Sequence, residues 1–318
     1  MILTKCPLRV SLVGGSTDTV SFLQKYQQGS VISFTPNLYT YVSIHENNVN
    51  RYIVNCANRE ETDNILSIKN PIVRECLSHF NVRPCTVSFN TNILSSGSGL
   101  ASSSSFIISM IKSICLFQGS RIHNRKICDV AFKIESLINP LAGYQDVYGC
   151  GVGSFKRIDF NLNGQEVYKF LDPSFIVDDY EMVLINTGIT RKSTKILKTL
   201  DVDKSYQLLS MVDELEDSIE NKDKQKFFAI FNEGWSRKKQ TSQEIMGNPD
   251  LLELEDYLIS SEMISGIKLC GAGGGGYFLT FVAKDRLNQF QNYFRKKYKQ
   301  NAFIKIEIEN DGVLGRKI

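Results

Sequence analysis

Apolar residues change their spacing several times along this chain, and each change marks an element. Alternating or β-branched runs at 8–13, 38–44, 51–55 and 85–90 predict strands, bounded by Gly, Asn and Pro turn signals. A short helix is expected over 19–26. The run from Phe106, Phe-Ile-Ile-Ser-Met-Ile, has helical spacing, and a further helix is predicted over 126–138 with Ile127, Val130, Ala131, Ile134, Leu137 and Ile138 on one face. Strands return near 153–160 and 181–186. From 190 to about 259 the pattern is helical; two strands at 264–270 and 277–283, a helix near 284–297 and a last strand at 302–309 complete the chain. Strands grouped first and helices later argue for an α+β fold, with a boundary near 165–185 that divides the chain into 1–175 and 176–318. There is no internal repeat and no long low-complexity segment.

One junction carries chemistry on its face. Residues 97–105 read Gly-Ser-Gly-Leu-Ala-Ser-Ser-Ser-Ser and run straight into the apolar helix. Glycines let successive N–H groups point inward, and the free N–H groups and dipole of a starting helix favour negative charge. A phosphate is the natural guest, and serine hydroxyls can bond its oxygens or enter the shell of a hard cation such as Mg²⁺. A flexible Gly/Ser linker is the plain alternative, although linkers seldom lead into a long apolar helix. The pattern is neither the Gly-Lys-Ser/Thr phosphate loop nor the Gly-x-Gly-x-x-Gly dinucleotide fingerprint.

Other segments supply charge and close approach. Glu135 sits at the margin of the 126–138 stripe, four residues after Ala131, so its carboxylate points toward the core side; a solvated surface acid is the bland alternative. Eleven residues on, Asp146 falls in Asn-Pro-Leu-Ala-Gly-Tyr-Gln-Asp (139–146), a turn-rich loop where an Asp also serves as a cap. Arg9, in the first predicted strand, can keep a nearby Asp146 ionised and offset charge on a moving phosphoryl group, or simply form a surface ion pair. Gly14 and Gly15 permit close approach of a ligand, and Asp18 can accept two sugar hydroxyls or cap the 19–26 helix. The run Gly271-Ala-Gly-Gly-Gly-Gly276 is too glycine-dense for an ordinary turn, because each glycine costs folding entropy. After the 181–186 strand, Thr-Gly-Ile-Thr-Arg-Lys-Ser (187–193) presents Arg191, Lys192, Ser193 and Thr194 at an expected helix start, which suits a second phosphate or plain capping.

Composition narrows the partners. With 318 residues, 42% hydrophobic, the chain can bury a sizeable core, and a net charge of +3 gives no footprint for nucleic acid. The basic run near Arg295 reads as a solvated helix face. Eight scattered cysteines include no Cys-x-x-Cys pair, so neither a zinc site nor a disulfide scaffold is expected. No signal-peptide core and no run long enough to span a bilayer is present, so a cytoplasmic protein with reduced thiols, away from membranes, is expected. His45, His79 and His123 fall in no motif, and Trp235 is expected to pack.

Three of these segments together resemble the GHMP kinases, the superfamily of galactokinase, homoserine kinase, mevalonate kinase and phosphomevalonate kinase. The 97–105 stretch resembles its phosphate loop. Residues 7–18, Pro-Leu-Arg-Val-Ser-Leu-Val-Gly-Gly-Ser-Thr-Asp, resemble the substrate-end motif in its sugar-kinase form, and residues 268–279 resemble its glycine-rich third motif. Val-Gly-Gly-Ser-Thr-Asp (13–18) and Gly-Tyr-Gln-Asp (143–146) are similar to the heptose 7-phosphate kinase type. Two departures stand out: Ser95 and Ser96 replace the usual prolines, and Ala101 replaces a glycine, so that a positive φ at Ala101 would be strained.

The resemblance implies a two-domain fold, ribosomal-protein-like then ferredoxin-like, with a nucleotide held between. It implies ATP at Ser96, Gly97, Ser98, Gly99, Leu100, Ala101, Ser102, Ser103 and Ser104, and Mg²⁺ at Ser103 and Glu135. Asp146 and Arg9 become the catalytic pair. Gly14, Gly15, Ser16, Thr17, Asp18, Arg191, Gly273 and Gly274 become the substrate side, with the glycine-rich run packed on the phosphate loop. The expected activity is ATP-dependent phosphorylation of a sugar or sugar phosphate, foremost D-glycero-D-manno-heptose 7-phosphate at its anomeric position, by a monomer or homodimer. A free-sugar kinase of the galactose, fucose or hexosamine type is the alternative. A non-catalytic sugar or nucleotide sensor, and a decarboxylase acting on a mevalonate diphosphate, are disfavoured by the acids at 135 and 146 and by the first motif.

Overall fold

In a computed structural model, which describes residues 1–93, 97–162, 166–190, 193–298 and 303–318, the period-two segments form three sheets. The first has six strands: β1 (Ile2–Pro7), β4 (Tyr39–His45), β5 (Tyr52–Asn55), β6 (Arg59–Thr62), β7 (Thr86–Thr91) and β14 (Leu314–Lys317), in the order β14-β1-β4-β7-β5-β6. The second runs β2 (Val10–Val13), β3 (Gln28–Phe34), β8 (Phe155–Asn161), β9 (Glu166–Phe170). The third is built from β10 (Tyr180–Asn186), β11 (Ile264–Leu269), β12 (Tyr277–Ala283) and β13 (Phe303–Ile306), in the order β11-β12-β10-β13 and antiparallel throughout.

That third sheet shows why its strands read as continuous apolar runs. Met182 and Leu184 of β10, with Tyr277, Leu279 and Phe281 of β12, pack into one core; Val183, Ile185, Phe278 and Val282 pack into another on the opposite face. A strand buried on both faces has no polar side to alternate with. Its two-sided burial and order are those of a ferredoxin-like sheet.

The strand expected at 8–13 is β2, which starts two residues later, and β1 before it was not anticipated. β1 ends at Pro7 in the first sheet and β2 begins at Val10 in the second. At the crossing the Leu8 N–H bonds the Leu38 carbonyl at 2.8 Å and the Arg9 N–H bonds the Leu100 carbonyl at 3.1 Å, which places Arg9 against the turn that leads into α3. β3 was not anticipated, and neither was a helix after Asn70, although Asn70 caps it and Pro71 opens it.

The helices are α1 (Val20–Tyr26), α2 (Pro71–His79), α3 (Ser102–Phe117), α4 (Asn124–Ile138), α5 (Tyr144–Val152), α6 (Ser174–Val177), α7 (Ser193–Lys198), α8 (Val202–Glu220), α9 (Lys224–Gln240), α10 (Pro249–Ile259) and α11 (Leu287–Lys297). α2 to α5 close the core over the first sheet, while α8 and α9 pack between the second and third. Leu137, expected on the buried face of α4, is 71% exposed. It lies about 120° round the helix from the centre of the face that Ile127, Cys128, Ala131, Ile134 and Glu135 bury. Trp235 packs in the third core, and all eight cysteines are free thiols. No helix among the described residues is long and apolar enough to cross a membrane.

Candidate active site

α3 starts in an unusual way. Gly97, Gly99 and Ala101 have φ of 66°, 77° and 61°, so the backbone alternates in hand as it enters the helix, and Ala101 is the N-cap with no side-chain bond to the first turn. The positive φ expected to be strained at Ala101 is present, and a Cβ there costs on the order of 1–2 kcal/mol. What this conformation gives is a helix start whose first N–H groups are left to a ligand rather than to a capping side chain. The glycine-rich run closes on it: a Cβ at Gly276 would lie 2.3 Å from the Ser98 carbonyl oxygen. The same run also joins β11 to β12, so the packing and hairpin expectations both hold.

Arg9 ties the loop to Asp146. It is 3% exposed; its Nη1 donates to the Gly99 carbonyl at 2.7 Å, while Nε and Nη2 donate to Asp146 Oδ1 at 3.0 and 2.6 Å. Both carboxylate bonds fall on one oxygen. Asp146 lies in the first turn of α5, not in a loop; a nine-residue helix follows the 139–143 turn directly.

Glu135 is buried on α4, and the Ser104 hydroxyl sits 2.7 and 2.8 Å from its two carboxylate oxygens. Burial, then the charge of Asp146, pushes its pKa up to about 8, against the Ser104 bond and Arg9. Ser103, the serine implied as metal ligand, is exposed on the rim of the same cavity.

Asp18 has a structural task. Thr19 caps α1, so Asp18 does not. Its carboxylate reaches instead to the start of α5, accepting from the Gln145 N–H at 2.9 Å and Gln145 Nε2 at 2.8 Å, and from the Ser16 N–H at 3.1 Å. Gly143 makes this possible, since a Cβ there would stand 2.0 Å from Asp18 Oδ2. Burial and the Asp146 charge raise the Asp18 pKa to about 6.

These groups line one cavity of about 480 Å³. Gly97, Ser98, Gly99, Ala101, Ser102, Ser103 and Ser104 are on its wall, as are Arg9, Gly14, Gly15, Ser16, Asp18, Glu135 and Asp146. Leu100 turns into the core instead, and Thr17 is occupied by the Gly14 and Ser30 carbonyls at 2.8 Å each. Gly273 and Gly274 lie against Ile245, and the loop reaches the wall with Gly271 and Ala272. Ser96 and Arg191 lie outside the described residues; Thr194, from the same segment as Arg191, is on the wall.

Sequence reasoning missed two lysines here. Lys268 is buried, with Nζ on the Ser11 and Leu12 carbonyls at 2.8 and 2.7 Å, and burial, assisted by Lys238 and Arg9, lowers its pKa to about 7. Lys238, on α9, is 6% exposed and bonds the Ser16 hydroxyl. The one available signal was Lys268 standing at the head of the third motif.

The arrangement brings a helix start suited to phosphate, an arginine, and three carboxylates around one space. Residues 67–154 match the family model for the GHMP kinases N terminal domain. The D-glycero-alpha-D-manno-heptose 7-phosphate kinase of Campylobacter jejuni is 27% identical over 305 residues, 88% of this chain and 89% of that protein. The L-fucokinase/L-fucose-1-P guanylyltransferase of Bacteroides fragilis is 28% identical over 204 residues, 59% of this chain but 21% of the larger relative. Among solved structures, a D-glycero-D-manno-heptose 1-phosphate kinase from Bacteroides thetaiotaomicron superposes with a TM-score of 0.79 over 100% of this chain and 99% of that one at 18% identity. The Methanococcus jannaschii mevalonate kinase does so with a TM-score of 0.75 over 97% and 98% at 18% identity. The family model falls on the segment that holds the Gly97–Ser104 turn, the Campylobacter jejuni relative aligns almost end to end, and the solved kinases share the α+β architecture: residues 67–154 match the GHMP kinase N-terminal domain, and the chain is similar to kinases of that superfamily over most of its length.

Proposed function

We propose that this sugar kinase transfers the γ-phosphoryl group of ATP to the anomeric hydroxyl of D-glycero-D-manno-heptose 7-phosphate. The observation that carries the reading is the near end-to-end alignment with the Campylobacter jejuni heptose 7-phosphate kinase, on a chain whose cavity holds the necessary groups. The anomeric position is supported by the Bacteroides fragilis relative, whose name couples a fucokinase to an activity on a sugar 1-phosphate.

Phosphoryl transfer asks the protein for a phosphate cradle, charge compensation and an oriented acceptor hydroxyl. The turn from Gly97 to Ala101 and the first turn of α3 form the cradle. Asp146, with Oδ1 held by Arg9, takes the proton of the attacking hydroxyl, and the Arg9 guanidinium offsets charge that builds between the loop and the acceptor. Glu135, Ser104 and Ser103 offer the oxygen donors a hard divalent cation selects, and a carboxylate whose pKa is raised by burial and a like charge is one that a cation would relieve. These residues would hold Mg²⁺, which would neutralise the nucleotide phosphates. Thr194 lines the cavity wall, and Arg191 is the residue proposed to contact a second, non-transferred phosphate.

Coupled ADP release tests this across free and phosphorylated sugars. The heptose 7-phosphate should be preferred over free heptose, mannose, galactose and fucose by at least tenfold in kcat/KM. A preference for free fucose or galactose would move the assignment to a free-sugar kinase, the reading that the Bacteroides fragilis relative favours.

A further inference from the structure

Gln145 carries an unmet demand in the middle of this cavity. Its side-chain oxygen is buried and has no hydrogen-bond partner among the described residues. The amide cannot relieve this by turning over, because Nε2 donates to Asp18 Oδ1 at 2.8 Å and a carboxylate only accepts. Asp18 is fixed in turn by the backbone N–H groups of Gln145 and Ser16. The oxygen is thus locked in place as an acceptor.

Opposite it stands a space that lacks a side chain. A Cβ built on Gly15 would lie 3.6 Å from the Ser11 hydroxyl and 3.7 and 3.8 Å from Gln145 Nε2 and Oε1, all ordinary contact distances. Gly15 therefore leaves a gap over the amide where a substituent would fit without clash. Ser11, Gly15, Gln145 and the adjoining Asp146 all line the cavity. A buried acceptor facing an unfilled gap beside the expected base fits a donor that arrives with the acceptor substrate. The neighbouring cations do not supply it, since Lys268 is spent on the Ser11 and Leu12 carbonyls and Lys238 bonds Ser16.

Building on the proposed sugar-kinase activity, we infer that Gln145 Oε1 accepts a hydrogen bond from a hydroxyl of the sugar other than the one phosphorylated, and so makes that hydroxyl a condition of recognition. A site shaped to bond a hydroxyl rejects the analogue lacking it, because its own polar group is then left buried and unpaired. Asp18 belongs to the same device: it orients the amide through which the sugar is read.

The test compares wild type, Gln145→Met and Gly15→Ala by calorimetric binding of D-glycero-D-manno-heptose 7-phosphate, mannose 6-phosphate, free mannose and fucose, and the monodeoxy analogues of whichever binds tightest. AMP-PNP binding serves as the control. Met keeps the length of Gln without the acceptor; Ala at 15 leaves the Gln145–Asp18 bond in place and covers the acceptor. Both variants should raise the sugar Kd at least about tenfold with AMP-PNP affinity unchanged, and one monodeoxy analogue should bind wild type and Gln145→Met equally weakly. The inference falls if Gln145→Met binds the parent sugar like wild type, if it weakens every deoxy analogue alike, or if wild type binds no sugar of the panel. Binding that depends on Gln145 in an enzyme that releases no ADP would sink the kinase activity and leave this assignment standing; turnover indifferent to Gln145 would do the reverse.

Discussion

Asp18→Asn separates the charge of the site from its shape. The Asp18 side chain is wholly buried, and burial, then Asp146, lifts its pKa from 3.8 to about 6. A carboxyl whose folded pKa is raised stabilises the fold fully below its unfolded pKa, and that contribution is lost as pH rises through the folded value. A shift of about two units corresponds to about 3 kcal/mol, lost between roughly pH 4 and 7. Asparagine never carries the charge, so it escapes this loss, but it retains one acceptor oxygen of two. With that oxygen toward Ser16 N–H and Gln145 Nε2, its NH₂ confronts the Gln145 backbone N–H, a mismatch worth about 1–3 kcal/mol. The variant should therefore be less stable than wild type by that amount at pH 4.5 and equal or superior at pH 8. Glu135, also raised, titrates in both proteins without a contribution from Asp18 and cancels in the difference. Urea unfolding followed through the single tryptophan, Trp235, which is buried, gives the two stabilities at each pH. A gap between the two proteins that stays constant from pH 4.5 to 8 would refute the reasoning, because it would mean that Asp18 titrates alike folded and unfolded.

Asp146→Asn should bind nucleotide nearly as wild type yet turn over at least about a hundredfold more slowly, and retained turnover in single-turnover assays would remove its role as base. Ser104→Ala frees the Glu135 carboxylate from its hydroxyl partner and should raise the Mg²⁺ concentration for half-maximal rate more than Ser103→Ala does; the opposite order would return the metal to the rim serine. Ala101→Gly relieves a left-handed alanine at the entry to α3 and should raise stability by about 0.5 kcal/mol after the extra entropy of glycine in the unfolded chain; a fall in Tm would mean that the alanine methyl packs more than it strains.

What the sequence disclosed and what it withheld divide along the range of the forces involved. The glycine turn into α3 was legible because glycines, serines and an apolar helix adjoin within fifteen residues, and every group that shapes it is local. α5 was not legible. Tyr-Gln-Asp-Val-Tyr-Gly-Cys-Gly-Val has two interior glycines and weak propensity, and reads as loop. It is a helix because its surroundings make it one: Asp18 accepts its first N–H groups from 127 residues away, and the buried Lys156 ammonium of β8 takes the Gly149 and Gly153 carbonyls at 3.0 and 2.6 Å at its far end. Gly149 in turn lets it pass Arg9, whose Cβ and Cγ would be 3.2 Å from a side chain there. Of the two glycines that hid the helix, Gly149 lets Arg9 reach Asp146 and Gly151 makes room for Cys128 Sγ.

Which serine of a run of four meets Glu135 is a question of helix phase. Ser104 faces inward with Ile107, Ile108 and Ile111, and Ser103, about 100° round, faces the rim; the apolar spacing after Phe106 contained that answer once α3 was known to start at Ser102. The lysines carried no comparable local sign. Lys238 sits inside Arg237-Lys238-Lys239, a stretch that looks solvated throughout, and its partner Ser16 is 222 positions away. Lys268 is anchored by carbonyls more than 250 positions distant. A buried cation is tolerated only where acceptors are already in place around it, so its position is a property of the assembled fold, and the residues that decide it lie on elements whose approach no window of sequence can report.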